Sequence, residues 1–400
     1  MGARPKKLLV LGAGPYQVPV IKRARDMGFY VITTDNVPRN PGHSLADKAF
    51  FVDTKDEQGV LQIARTEGIH GIIAPATDVA VPTASWVSEI LGLVGVPYES
   101  ARILCDKARF RHFLRSQGFP CPEFMAVPLE DAVSFDPARV GAPPWVLKPD
   151  CSSGSKGVFI VRDSQEYQLF VKETLDFAQR HVVVERYVRG QQGTAEGVIR
   201  DRLVRVCFYT DRQTVSAPYV ATCGHRLPAK LSEVAQARLC QQIEELARLL
   251  NLSHTVFDCD FVATDAEVFI LEISPRLGGN SIWKAIRQSS NFDILDYALR
   301  LALREELKVP TIERVVPTAV VLFGVEQAGA LSYDIEELSR LREEQWVLEL
   351  EIDYAAGHMV LPFTNGRNRV GEALVIAETR EELDNRVERL LRRLNVHVHS

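Results

Sequence analysis

Short apolar runs alternate with helix-periodic segments over the first hundred residues. Residues 7–11 read as a strand buried on both faces, 30–34 as a second strand and 69–74 as a third. Between them, 18–27 predicts a helix closed by Gly28, and 81–91 predicts another. Strands separated by helices imply a parallel, doubly wound sheet, in which ligands sit at the carboxyl ends of the strands. The pattern then changes. A helix is expected at 105–116, broken by Gly118-Phe119-Pro120-Cys121-Pro122. Strands are expected at 145–149, 158–161, 182–188, 203–210, 257–264 and 267–274, the last two joined by a tight turn at Asp265-Ala266. Ser232 is placed to cap a long helix over 232–250. Strands at 316–325, 345–351 and 369–378 precede a final helix. That helix opens with a capping box, Thr379 and Glu382, and carries an apolar stripe of Leu383, Val387, Leu390, Leu391 and Leu394. These changes of style place domain boundaries near residues 103 and 312.

The chain has 400 residues, enough for two or three domains at about 150 residues each. Lysine and arginine (47) nearly balance aspartate and glutamate (52), and the signs are interspersed, so no electrostatic footprint for nucleic acid or a membrane surface is expected. A phosphate-bearing substrate therefore needs a locally built pocket. The seven cysteines are odd in number and form no C-x-x-C pair, which favours reduced thiols and a cytoplasmic location over disulfides or zinc. No apolar run approaches the roughly 18 residues of a membrane span.

Three constellations carry chemistry. Gly12-Ala13-Gly14 follows the first strand, and Asp35 ends the second, as in a dinucleotide fingerprint; but Gln17 stands where the third glycine belongs. A turn shaping part of a substrate cleft fits better. Lys148-Pro149 leads into Ser152-Ser153-Gly154-Ser155-Lys156-Gly157, a strand-end lysine followed by small residues whose N–H groups suit phosphate oxygens. Finally, Asp258 and Asp260 share one face of a strand, while Glu272 and Ser274 share a face of the next. Acids brought together this way repel unless neutralised, and magnesium with substrate phosphates would do so. Arg276, with Gly278 and Gly279 behind it, could hold a phosphoryl or carboxylate group bidentately. Cys151 has no histidine near it in sequence and reads as a small loop residue; His397 and His399, at the chain end, read as solvated.

In this order, the motifs resemble the ATP-grasp superfamily of carboxylate–amine and carboxylate–thiol ligases, including biotin carboxylase, the ATP-binding domain of carbamoyl phosphate synthetase and the L-amino-acid ligases. The resemblance implies an α/β protein with an ATP-grasp fold: a doubly wound parallel-sheet domain at 1–103, the ATP-grasp domain at 104–312 with a mobile lid at about 121–184, and a small α+β domain at 313–400. Asp106-Lys107 resembles the family's Asp-Lys pair, whose lysine contacts nucleotide phosphate. Lys148 resembles the second ATP lysine, and 152–157, with Ser153, Gly154 and Gly157, the glycine-rich lid loop. Glu185-Arg186-Tyr187-Val188 resembles the hinge that holds adenine. Asp260 and Glu272, twelve apart, match the magnesium carboxylates, and Arg276 the arginine that steadies an acyl phosphate. Two positions depart from the family. Gln192 stands where a ribose-contacting Glu is common, and Ser274 where an Asn metal ligand is common.

What the resemblance implies is ATP- and Mg2+-dependent (alternatively Mn2+-dependent) activation of an amino acid or small carboxylic acid as an acyl phosphate, with Lys148 and Arg276 catalytic. Attack by an amine then gives an amide, ADP and phosphate. Glu196, His225, Arg226, Gly278 and Gly279 are the candidates to face these small-molecule substrates, His225 and Arg226 from a loop at 225–228 that in amino-acid ligases approaches substrate. A homodimer is also implied. Two alternatives remain: a bicarbonate-activating carboxylase working through carboxyphosphate, and a nucleotide-binding protein without turnover.

Overall fold

Leu8, Leu9, Val10 and Leu11 are all wholly buried, as expected of a strand covered on both faces. In the computed structural model, which describes residues 4–309 and 311–399, this strand lies inside a four-stranded parallel sheet. Its order is Lys48–Phe50, Tyr30–Thr34, Lys7–Leu11, Gly71–Ile73. The turn after the first strand is no dinucleotide cradle. Asp35 accepts the N–H groups of Ala13 and Val37, and the Gln17 amide packs 3.1 Å from where a Cβ on Gly12 would stand while donating to the Pro75 carbonyl. Gln17 thus packs over the turn where the fingerprint would have its third glycine.

The centre is an eight-stranded antiparallel sheet. Its order is Val268–Ser274, His254–Ala263, Gln191–Arg200, Leu203–Thr214, Thr222–Leu227, Thr318–Phe323, Gly371–Ile376, Val347–Ile352. The last three strands come from beyond residue 312, so the C-terminal segment continues the central sheet, and it also forms a small three-stranded sheet of Met359–Val360, Gly329–Ser332 and His397–His399. A second antiparallel sheet, Phe124–Pro128, His181–Arg186, Trp145–Pro149 and Phe159–Val161, stands over it with a core of its own around Trp145, Leu147, Tyr167 and Val184.

Several local expectations change. The helix expected at 105–116 runs over Lys107–Ser116, behind a separate helix Tyr98–Leu104, and Asp106 caps it by accepting the Arg109 N–H. Capping places Lys107 at the first helical position. Residues 225–228, expected as a loop, belong mostly to the strand Thr222–Leu227 in the middle of the large sheet. Two helices, Ile282–Ser290 and Ile294–Ala302, occupy a stretch given no element from sequence. In the final helix, Arg380–Leu394, Thr379 accepts the Glu382 N–H, but the Glu382 carboxylate reaches the N–H of Glu378 instead of Thr379. Leu391 is exposed, off the buried stripe that Leu383, Val387, Leu390 and Leu394 form.

Candidate active site

Cross-strand pairing builds the site's floor. Thr194, Asp260 and Glu272 lie side by side on three neighbouring strands, and Glu196, Asp258 and Ser274 form the next row on the same face. Asp260 accepts the Thr194 hydroxyl at 2.6 Å, and its other oxygen lies 3.2 Å from Arg212 Nη1. Glu272 lies 3.3 Å from Lys107 Nζ, and that ammonium also donates to the Ser152 carbonyl. The two facing carboxylates are thus bracketed by two cations. Burial opposes ionisation of Glu272, but Lys107 and Arg212 overcome it and hold the carboxyl down at about 2. Burial raises Asp260 above its ordinary range, with Arg212 acting against it.

The opposite wall comes from the smaller sheet. Glu185 is fully buried and accepts from Lys148 Nζ at 2.7 Å and from Arg111 at 2.7 and 3.4 Å; Arg111 also donates to the Ile270 carbonyl. Burial resists ionisation of Glu185, yet Arg111 and Lys148 hold its pKa at about 2. Burial lowers Lys148 below the usual lysine range, and Glu185 works to restore it. Between floor and wall lies a cleft of about 820 Å³, open at its mouth. Lys107, Lys148, Ser152, Ser153, Gly154, Glu185, Arg186, Val188, Gln192, Asp260 and Glu272 all line it. These residues span 166 positions of chain (107 to 272), and the fold brings them to one place. The loop over the cleft turns through left-handed backbone at Gly154, Ser155 and Gly157 (φ 70, 59 and 70°), where glycine costs least. Gly157 itself faces Phe177: a Cβ there would come 2.8 Å from that ring, so it shapes the loop without lining the cleft.

The remaining candidates lie elsewhere. Arg276 does not line this cleft. It donates to Asp78 Oδ1 (2.8 and 2.6 Å) and to Asp258 (2.7 Å), tying the N-terminal segment to the strand pair His254–Ala263 and Val268–Ser274; action on an acyl phosphate would require one of these ion pairs to open. Ser274 also donates to Asp78, at 2.6 Å, so its hydroxyl is committed there. Burial pushes Asp258 up to about 6 and Glu196 well above the carboxylate range. Glu196 is fully buried, accepting the Gly278 N–H through one oxygen, while the other has no partner. A Cβ on Gly278 would come 2.7 Å from that second oxygen, so Gly278 packs on Glu196. Gly279 sits beside Ala76. Strand geometry removes His225 and Arg226 from any loop over substrate. His225 is buried against the Thr210 hydroxyl, with burial and Arg212 pushing its pKa down to about 3, and Arg226 pairs with Asp384 at 2.6 Å.

Asp106, Asp150 and Cys151 also cluster, but Asp150 accepts the N–H groups of Cys151, Gln179, Arg180 and His181, and Asp106 pairs with Arg180. This cluster anchors the base of the lid. The Cys151 thiol is pushed up to about 12 by burial and the two aspartates, so it is no nucleophile at neutral pH. Among the described residues every cysteine is free, and no helix is long and apolar enough to cross a membrane.

Asp78, Arg111, Thr194 and Arg212 were not anticipated. Arg111 stands four residues after Lys107 on one helix face, and Arg212 two after Thr210 on one strand face, so their periodicities carry a usable signal. Nothing local marks Asp78.

A lysine-walled cleft between two antiparallel sheets, floored by paired carboxylates and roofed by a small-residue loop, defines a nucleotide-binding fold of the ATP-grasp type. Residues 104–280 match the ATP-grasp domain, and 325–399 match the L-amino acid ligase C-terminal domain 2. The chain thus carries an ATP-grasp domain. It is 24% identical over 414 aligned positions to the formate-dependent phosphoribosylglycinamide formyltransferase of Salmonella typhimurium, covering 98% of this chain and 96% of that one. Among solved structures, the L-amino acid ligase from Bacillus licheniformis superposes with a TM-score of 0.83 at 18% identity, covering all of both chains. The biotin carboxylase domain of Hydrogenobacter thermophilus 2-oxoglutarate carboxylase, solved with MgADP and bicarbonate, superposes with a TM-score of 0.73 at 16% identity, covering 99% of this chain and 91% of that one.

Lys148 carries a first prediction. Replacing it with alanine leaves Glu185 paired to Arg111, so the fold is retained, while a positive charge on the cleft wall is lost. Steady-state kinetics should show KM for ATP rising by about tenfold or more, and an unchanged ATP dependence would remove Lys148 from the nucleotide site.

Proposed function

We propose that the chain is an ATP-dependent ligase that activates a carboxylate, an amino acid or small carboxylic acid, as an acyl phosphate and joins it to an amine. The observation that carries this reading is the pair of facing carboxylates, Asp260 and Glu272, bracketed by Lys107 and Arg212 in the cleft that also holds Lys148. Phosphoryl transfer asks chiefly for positioning and charge neutralisation, which this constellation offers. The cleft wall at Arg186, Tyr187 and Val188 would receive adenine through its backbone, because the Glu185 side chain is committed to Lys148 and Arg111. Gln192 would meet the ribose hydroxyls as a neutral hydrogen-bonding partner. Lys107 and Lys148 would exchange their carboxylate partners in part for phosphate oxygens. Two hard oxygen donors on neighbouring strands suit magnesium or manganese, and Asp260 and Glu272 would hold it. When bound, the ion would offset the phosphate charge. The 152–157 loop would cover the phosphates and keep water from the acyl phosphate. The carboxylate oxygen bonds to the γ-phosphorus as ADP leaves; the amine nitrogen then bonds to the acyl carbon, phosphate departs and the amine gives up a proton.

Nucleotide turnover with magnesium and pools of amino acids and small carboxylic acids tests the reading. ADP and phosphate released in response to a pool support it and begin to identify the substrate. AMP and pyrophosphate would refute the acyl-phosphate route. Release that depends on bicarbonate alone would favour a carboxylase, and tight ATP binding without turnover in any pool would favour a non-catalytic protein.

A further inference from the structure

The carboxylate pair has fewer open oxygens than its position suggests. Both oxygens of Asp260 already have donors: Thr194 on one and Arg212 on the other. Glu272 has Lys107 on one oxygen. In the next row on this face, Ser274 is buried and donates to Asp78, Asp258 is paired with Arg276, and Glu196 is buried and accepts the Gly278 N–H. Arg212, for its part, is fixed in place. Its Nε donates to Thr222 at 2.8 Å and its Nη2 to the Val220 carbonyl at 3.4 Å, while Nη1 points to Asp260 along the cleft wall.

Charge points the same way. Lys107 with Glu272 and Arg212 with Asp260 sum to zero, and Lys148 and Arg111 against Glu185 leave one positive charge. A floor already neutralised by two side-chain cations has little to offer a pair of divalent ions. It can share its carboxylates with one, whose remaining positions go to phosphate and water. A guanidinium, by contrast, is always charged and presents several donors in a fixed plane, which suits phosphate oxygens.

We propose that Arg212 is a catalytic cation of this centre, taking the terminal phosphate of the nucleotide, and that the centre accordingly binds a single divalent ion per nucleotide. Arg212 keeps its anchors on Thr222 and Val220 and turns part of its Nη1 contact from Asp260 to the phosphate; Ser274 remains a tie to the N-terminal domain. The inference rests on the nucleotide-binding part of the function proposed above, but not on turnover.

The test counts bound Mn2+ by electron paramagnetic resonance on the full chain saturated with β,γ-imido-ATP. A single bound Mn2+ per bound nucleotide is expected, and two would overturn the proposal. In parallel, R212Q should weaken β,γ-imido-ATP by about tenfold or more while shifting ADP by less than about threefold, with R212K recovering part of the difference. Equal effects on both nucleotides, or none, would overturn the assignment of Arg212 to the terminal phosphate. Two Mn2+ with nucleotide bound sinks this proposal alone, whereas absence of any nucleotide binding sinks it together with the ligase reading.

Discussion

Glu272→Gln is expected to lower ADP release by about a thousandfold, because the carboxylate proposed to hold the metal ion would be lost, and with it several kcal/mol of transition-state stabilisation. The fold should survive. The Glu272 side chain is about a third exposed, at 35%, and glutamine keeps an oxygen for Lys107, the only described side chain paired with it. Arg212 and Thr194 still hold Asp260 in place, so the floor keeps its shape while losing one negative charge. Turnover and thermal unfolding measured on the same preparation separate the two effects. Normal turnover in a folded E272Q would take Glu272 out of the metal site and, with it, the observation on which the ligase reading stands.

What could be read from the chain beforehand follows from the range of the interactions concerned. Alternation put Asp258 with Asp260 and Glu272 with Ser274 on shared strand faces, the family resemblance singled out Asp260 and Glu272, and the register that sets them side by side is a finding of the structure. The first strands were legible because burial on both faces leaves an unbroken apolar run. His225 and Arg226 were misplaced because the strand Thr222–Leu227 is short and ends at Pro228, so its composition resembles a loop; only its neighbours Leu203–Thr214 and Thr318–Phe323 make it a central strand. Residues 282–302 gave no element because Ser289, Ser290 and Asn291 interrupt the pattern, although that interruption proves to be the join between two helices. The tie from Asp78 to Ser274 and Arg276 bridges nearly two hundred residues. No local rule reaches that far, and it decides that Ser274 faces the N-terminal domain. The Arg111 helix carries Arg109, His112 and Arg115 as well, so a buried arginine was hidden among exposed-looking cations.

That buried arginine leads to the second large effect. Glu185→Ala should destabilise the fold by about 3–5 kcal/mol, the cost of leaving buried charge uncompensated. Arg111 is 1% exposed and the Lys148 side chain 10%, and without Glu185 the two cations would face each other uncompensated at the cleft wall. Removing charge from both sides is a different matter: Arg111→Met combined with Glu185→Leu should recover much of the loss, because matched apolar groups replace a pair whose desolvation is costly. Urea unfolding of the single and double variants measures this, and an E185A protein as stable as the parent would show that the triad contributes nothing to the fold. The same carboxyl sets an acid limit. Its pKa in the folded chain is about 2, against an ordinary value of 4.5, so its stabilisation is complete above pH 4.5 and is lost as pH falls towards 2. Glu272, also held at about 2, acts in the same window, so the comparison belongs in an E272Q background. There, stability should fall between pH 4.5 and 2 with Glu185 present, and fall less steeply in the variant carrying both Arg111→Met and Glu185→Leu. Parallel pH profiles would mean that Arg111 and Lys148 do not hold this acid ionised, and the cleft wall would then lack the fixed charge assigned to it.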